Sequence, residues 1–465
     1  MNRKLVTLFS LLLIASFVLA ACGGTATEAP VVEEPAAEEP AAEEPAAEEP
    51  MDEEEPMDEE MMEVTLRWRT RPDNQEEADV YQSISESLSG EMDGVTLEYE
   101  PGGSETTSYQ DVLKTELASG TAPDVFWIPG TDVADFATRG LLLDMRSLAD
   151  GTDGYGDDAF YPGPMFHLTF NPDSGNAGEA LWGLPRDVST FALYLNMDLI
   201  NEAGAPDPRD LEANGEWDWD AFLEVSEAVS GLGPDIKGYG GSAWWGPYGV
   251  WINAAGGGFF NEDRSSCALD TAEALEGLTF AQNLYTGTDY AVPYGEDPEP
   301  PFRAGNVAMF QNGRWATPGI RTADFEWDVV GLPTGPGGGP GNWLFWGAYV
   351  VNAETEYPEE AWALVQALTT AQTQGTIAAL GANIPSRVSQ EALDAFIGFS
   401  PPANNQAFLD GLANDPTAEG PLWAGSWPDF GTVMDSAISS LLTGETSIDE
   451  FAATVCDEAN KAFDN

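Results

Sequence analysis

The sequence predicts an α/β protein, on three observations. Between residues 64 and 128 the apolar spacing switches repeatedly between every second residue and every third or fourth, which gives the order β-α-β-α-β. Asp124-Val-Phe-Trp-Ile128 is a short, mostly apolar run suited to a parallel strand buried on both faces. The 402 residues from 64 onward are enough for one large domain or two lobes with real cores.

In order along the chain, Val64, Leu66 and Trp68 alternate as a strand, and Val80, Ile84 and Leu88 take helical spacing within 73–88. Val95, Leu97 and Tyr99 alternate again. Tyr109, Val112, Leu113 and Leu117 mark a helix that Ser119-Gly120 and Pro123 end, and the buried run 124–128 follows. These elements predict a doubly wound sheet. Ala361, Leu364, Val365 and Leu368 make one later amphipathic helix. Val433, Ala437, Ile438, Leu441 and Leu442 make another, and Ile448, Phe451, Ala452, Val455 and Ala459 a C-terminal one. Glycine-rich stretches at 255–258 and 335–341 read as turns. The second lacks the Gly-Lys-Ser/Thr ending of a phosphate loop.

The chain opens with Arg3 and Lys4, an apolar run from Leu5 to Ala20, small residues, and Cys22 before Gly23-Gly24. That order reads as a secretory signal over 1–21 ending at a cysteine. It resembles a bacterial lipoprotein lipobox, which implies cleavage before Cys22 and acylation of its thiol. The protein would then sit lipid-anchored on the outer face of the cytoplasmic membrane. The alternatives are an ordinary signal peptide or a membrane helix, for which the run is short. Residues 22–63 repeat Ala-Ala-Glu-Glu-Pro and then Met-Asp-Glu-Glu, without an aromatic residue. Such a segment buries too little apolar area to order itself and reads as an extended acidic spacer, the alternative being a charged interaction tail.

The whole chain carries a formal −63. Residues 23–63 hold 17 acids and no bases, and Arg3 and Lys4 precede them, which leaves 63 acids against 15 bases, or −48, in residues 64–465. That excludes nucleic acid and anionic lipid surfaces as partners of the folded part, since both need basic patches. Adaptation to salt is a second reading of the acidity. In an exported chain Cys267 and Cys456 suggest a disulfide, with two separate buried thiols as the alternative. They lack metal-site spacing, and Asp150, Asp153, Asp157 and Asp158 do not fit an EF-hand loop, so neither a metal nor a cofactor is expected. His167 is the sole histidine, read as a surface or packed residue; chemistry that needs a histidine cluster is excluded. A lipid-anchored glycoside hydrolase needs only two carboxylates, but among 63 acids a pair is no evidence. The expectation is a binder and not an enzyme.

Tyr109 to Trp127 contains the run Ala118-Ser-Gly-Thr-Ala-Pro-Asp124, followed by Gly140-Leu-Leu-Leu-Asp144. Further on come Trp182-Gly-Leu-Pro185, Tyr194-Leu-Asn-Met-Asp-Leu199, Ala203-Gly-Ala-Pro206 and Trp217-Asp-Trp-Asp-Ala-Phe222. Phe302-Arg-Ala-Gly-Asn-Val-Ala-Met309, Asn312-Gly-Arg-Trp315, Pro358-Glu-Glu-Ala-Trp362 and Asn383-Ile-Pro-Ser386 complete the series. In that order and spacing they resemble the extracellular solute-binding proteins, family 1, of ABC importers, the carbohydrate binders related to maltose-binding protein. The resemblance implies a two-lobed periplasmic-binding-protein-like fold, each lobe a sheet flanked by helices, with a multi-crossing hinge. Residues 64–186 and 343–388 would form the N-terminal lobe, and 187–342 and 389–465 the C-terminal lobe. Crossings are expected near Leu184–Ser189, near Trp343–Tyr349 and after Ser386. It implies a monomer that closes on a small carbohydrate between its lobes and docks on a membrane permease.

All 15 tryptophans lie in the folded part, a load suited to packing against the apolar faces of sugar rings. Trp127 ends a predicted parallel strand, where doubly wound sheets place ligands. The resemblance adds Trp315 as a stacking ring, Trp244 and Trp245 in a cleft-facing segment, and Trp423 and Trp427 in a late tryptophan-rich stretch. Arg186, Asp187, Ser189 and Arg314 are the candidates for sugar hydroxyls, and Arg69 and Arg71 close the first strand toward the cleft mouth. Trp68, Trp327 and Trp362 read as core. Ser189 stands where maltose binders carry a glutamate, so the solute class is carbohydrate rather than maltose itself. Peptide, polyamine and phosphoglycerol binders share the fold and remain alternatives.

Overall fold

The computed structural model describes residues 63–72, 74–103, 106–413, 417–418 and 423–464. The signal over 1–21, Cys22 and the spacer as far as residue 62 lie outside these. Among the described residues no helix is long and apolar enough to cross a membrane.

The strands are β1 (Val64–Thr70), β2 (Val95–Pro101), β3 (Val125–Pro129), β4 (Gly183–Ser189), β5 (Phe191–Asn196) and β6 (Lys237–Gly241). After them come β7 (Val307–Gly313), β8 (Trp327–Val330), β9 (Trp343–Val351), β10 (Ile384–Pro385) and β11 (Thr417–Ala418). They build two sheets flanked by helices. The larger has the order β10-β4-β9-β3-β1-β2, with β11 beside the start of β9; the smaller has the order β6-β7-β5-β8.

In the larger sheet β1 runs parallel to β2 and to β3, as the β-α-β-α-β reading expected. Leu66 and Trp68 of β1 are buried, and the Trp68 indole donates to Ser85 Oγ of the helix Gln75–Glu91 at 2.9 Å. That helix starts where the Asn74 side chain accepts from the Glu77 backbone N–H, which satisfies one of its free donors. In the smaller sheet β5 pairs antiparallel with both β7 and β8. The helix Met197–Ala203 leaves β5 through an Asn196 cap and stops at Gly204, whose φ of 64° is the left-handed conformation that glycine adopts freely.

Two strand connections tie the sheets together. β4 belongs to the larger sheet and β5 to the smaller, with only Thr190 between them. β9 pairs with β3 and β4, yet its first residues, Trp343 and Phe345, pack into the second core while Trp346 and Tyr349 pack into the first. Asn342 locks the two crossings side by side: Phe191 N–H donates to Asn342 Oδ1 at 2.9 Å, and Asn342 Nδ2 donates to Phe191 O at 2.8 Å.

The chain after Ser386 makes contacts on both sides of the seam. Phe396 of the helix Gln390–Ile397 joins the first core, and that helix packs on Ala371–Ala378. The helix Gln406–Ala413 packs on β5. Residues 390–413 therefore bridge the lobes rather than belonging to the second alone, and the chain enters the second core only with the helix Trp427–Leu442. Cys267 and Cys456 form a disulfide within the second lobe, their Cα atoms 5.3 Å apart.

Candidate ligand-binding seam

β9 organises the region between the lobes because its side chains alternate between two aromatic groups. Phe345 is the hub of the first group. The rings of Phe191, Trp244, Trp245 and Trp315 lie 4.6, 5.7, 5.6 and 5.3 Å from it, centre to centre. Trp245 also meets Trp343 and Trp427 edge-on, at 5.2 and 5.6 Å. Trp244, Trp245, Trp315 and Trp427 are all half-buried, and Trp315 packs against both cores. These rings come from a helix start at 244–245, the end of β7 and the start of the helix at 427, so the fold gathers side chains that are far apart in sequence.

Trp346 leads the second group. Gly130 lies under its ring, so close that a Cβ there would sit 2.4 Å from the indole. The His167 imidazole stacks on it at 6.0 Å and 11° between planes, and Phe166 meets His167 edge-on at 5.1 Å. Phe170 continues the row, with Trp423 stacked on it at 5.0 Å. Trp423 thus belongs with first-lobe rings, and Trp427 with the second-lobe cluster.

Trp127 stands apart from both groups. Its ring fills the space left by Gly347, and the Arg71 and Arg186 guanidinium carbons lie 5.2 and 4.8 Å from its centre. At 6% exposure it offers little free face. Arg186 donates to Asp187 Oδ2 at 2.6 Å and to Thr70 Oγ1 at 2.9 Å. Burial is the largest single influence and opposes its charge, but Asp187 together with Tyr81, Glu77 and Tyr349 outweighs it and holds the guanidinium above its ordinary range. Ser189 Oγ accepts from the Arg314 backbone N–H at 3.1 Å, so it clips β4 to the end of β7.

The Arg314 side chain turns away from Trp315. It is fully buried among Phe396, Phe399 and Phe408, 4.9 to 5.5 Å from their ring centres, and among the described residues its three guanidinium nitrogens have no hydrogen-bond partner. Burial pulls it down to about 10. Arg69 is held by Glu100 and Glu116, both at 2.5 Å, and lines a cleft of about 300 Å³ with Tyr109 and Val112. None of the seam tryptophans lines that cleft.

Among the described residues Trp423 Nε1 and His167 Nδ1 of the seam, and Trp127 Nε1 beside it, are buried without a hydrogen-bond partner. Orphaned polar atoms of this kind are what a polar ligand would satisfy. Among the described residues no group of three His, Cys, Asp or Glu side chains is placed to hold a metal.

Trp346, His167, Phe166 and Phe170 were not singled out as site residues from sequence. Trp346 lay inside the anticipated crossing at 343–349, and that was the available signal. A lone histidine carries none.

The model of a family described as bacterial extracellular solute-binding protein matches residues 79–375. A putative binding protein of Brucella abortus is 24% identical over 397 residues, covering 82% of this chain and 88% of that one. An ABC substrate-binding protein of Listeria monocytogenes in complex with cycloalternan superposes with a TM-score of 0.75 at 18% identity, over 86% of this chain and 98% of that one. A solute-binding protein of an ABC transporter from Thermotoga lettingae, bound with α-D-tagatose, gives 0.72 at 22% identity, over 86% and 100%.

Proposed function

Because the chain belongs to the bacterial extracellular solute-binding proteins, we propose that it captures a carbohydrate in the seam between its lobes and delivers it to the permease of an ABC importer. The observation that carries this reading is the convergence of Trp244, Trp245 and Trp315 around Phe345, with Trp427 edge-on to Trp245, where β9 passes between the lobes. Half-buried indoles offer flat apolar faces to the C–H faces of a pyranose, and such faces with a few polar groups make a small-ligand site. Both structural neighbours described above are named with a carbohydrate ligand, which favours the same class here. Trp423 extends the site on the first-lobe side. Trp127, Arg186, Asp187, Ser189 and Arg314 stand behind the rings as supports that fix β3, β4 and β7. The protein binds without turning its ligand over, and acylated Cys22 with the acidic spacer holds it at the membrane.

The test is a carbohydrate panel scored by thermal shift and intrinsic tryptophan fluorescence, with spermidine, a tripeptide and glycerol 3-phosphate as counter-ligands. A shift with a sugar and no product supports the reading; a shift with the counter-ligands alone sinks the carbohydrate class, and product formation sinks the pure binding role. For the ligand found, Trp315→Ala should weaken binding about tenfold or more while the unfolding temperature stays near that of the parent. Unchanged affinity would assign the ring to the core.

A further inference from the structure

One direct contact across the seam joins a buried residue of the first lobe to a half-buried residue of the second. His167 sits on the helix Pro162–Leu168 of the first lobe and is 1% exposed, held between the faces and edges of Trp346 and Phe166. Arg264 Nη1 reaches its Nε2 at 3.3 Å from the second lobe. Arg264 is the one residue other than glycine at positive φ among those described, with φ of 57°. A left-handed arginine is costly and persists only where its surroundings over-determine it. They do so here: Asn261 Oδ1 accepts from the backbone N–H groups of Ser265 and Ser266 at 2.9 and 3.1 Å, Asn261 O accepts from Arg264 N–H at 3.0 Å, and the next residue but two, Cys267, is bonded to Cys456. The turn is braced so that one guanidinium projects to the other lobe. In a chain with 80 acids, no carboxylate among the described residues lies within ion-pair distance of that guanidinium.

We propose that Arg264 and His167 form a clasp, two positioning residues that hold the lobes closed over the aromatic seam without being the rings that contact the solute. It rests on the reading that the seam is the solute site, but it concerns closing rather than recognition. The chemistry is specific. A guanidinium only donates, so Nε2 must be the bare acceptor nitrogen and the proton must stay on Nδ1. A protonated ring would present N–H to N–H and open the contact. The ring faces Phe166 of its own helix and Trp346 of β9, neither of which titrates, and the charged group that acts on it is Arg264.

His167 is the only histidine, so protein labelled with ¹⁵N-histidine yields a single imidazole in a nuclear magnetic resonance spectrum. In the parent protein Nε2 should resonate as an unprotonated nitrogen and stay so from pH 8 to pH 5. Arg264→Met, which keeps the stem and removes the donors, should shift the closed–open balance about tenfold. The ring should then titrate nearer the ordinary histidine range, and the radius of gyration from solution scattering should increase. His167→Gln keeps an acceptor and should retain the compact radius, whereas His167→Ala should not; this pair tests the clasp even if the arginine variant folds poorly. Ordinary titration of His167 in the parent would overturn the proposal, as would an Arg264→Met ring and radius identical to the parent's, or equal opening by Gln and Ala. Absence of any sugar-induced shift would sink the solute reading and leave these outcomes intact.

Discussion

Arg186 and Arg314 are both buried, yet the same substitution should cost much at the first and little at the second. Arg186→Met strips buried Asp187 of the guanidinium 2.6 Å away, and uncovering a buried charge in that way costs about 3–5 kcal/mol. Among the described residues no carboxylate lies beside Arg314; its support is three phenylalanine rings, each worth about 1 kcal/mol to a cation, set against the loss of its hydration. Arg314→Met should therefore stay within about 1 kcal/mol of the parent in urea unfolding, and equal losses at the two positions would refute the contrast. Asp132 supplies a pH-dependent counterpart. Burial raises its carboxyl to about 6, despite Lys114 nearby and a hydrogen bond from Gln110, which both favour the charged form. The folded state then binds that proton more tightly than the unfolded chain, so the stability penalty is absent below about pH 4 and full above about pH 6. Asp132→Asn should stabilise the protein by about 2 kcal/mol at pH 8 and by almost nothing at pH 4. A gain that does not depend on pH would point to packing instead.

At the scale of elements, β9 is the piece on which both lobes and both aromatic groups depend. Gly347 is its weak point for substitution, since a Cβ there would lie 2.2 Å from Trp127 Nε1, and β3 and β4 flank the strand on either side. Gly347→Ala should cost about 1–3 kcal/mol by overpacking and should shift Trp127 fluorescence; an unchanged melting temperature would mean that the ring moves freely. β9 also shows what pattern could and could not reveal. Its nine residues are all buried, so they carry no alternation, yet the aromatic run from Trp343 to Trp346 marked the return crossing. The first two strands and their helices were legible because each has a clear apolar period, and β3 because its short apolar run follows the Gly-Pro signals that end a helix. The sugar-facing role proposed for Trp244, Trp245, Trp315 and Trp427 rests on resemblance and not on local spacing. The position of Arg314 was illegible: Asn312-Gly-Arg-Trp315 suggests two neighbouring site residues, but successive side chains leave the chain in different directions, and only Trp315 stays at the seam. Arg264 and His167 meet through the fold across 97 positions, a juxtaposition that no local period encodes.

At the scale of the whole molecule the governing quantity is charge. The compact part carries 63 acids and 15 bases, about four carboxylates for each side-chain cation. Even the bases present are unevenly spent: Arg69 and Arg209 each hold two carboxylates, while Arg264 and Arg314 hold none among the described residues. The remaining acids repel one another within each lobe and between the two lobes, and that repulsion opposes both folding and closing. Its range is about 30 Å at 0.01 M salt and about 4–5 Å at 0.5 M. Raising sodium chloride between those concentrations should therefore raise the unfolding temperature by several degrees and, in the same titration, reduce the radius of gyration as the lobes draw together. Sodium sulfate would strengthen apolar burial as well, so sodium chloride is the cleaner probe. A response in radius that Arg264→Met abolishes, with the shift in unfolding temperature retained, would separate the two effects, because screening of the carboxylates acts on the whole surface and closing acts through one contact. A melting temperature that is flat or falling with salt would show that the acids are already compensated and that the charge excess does not load the fold.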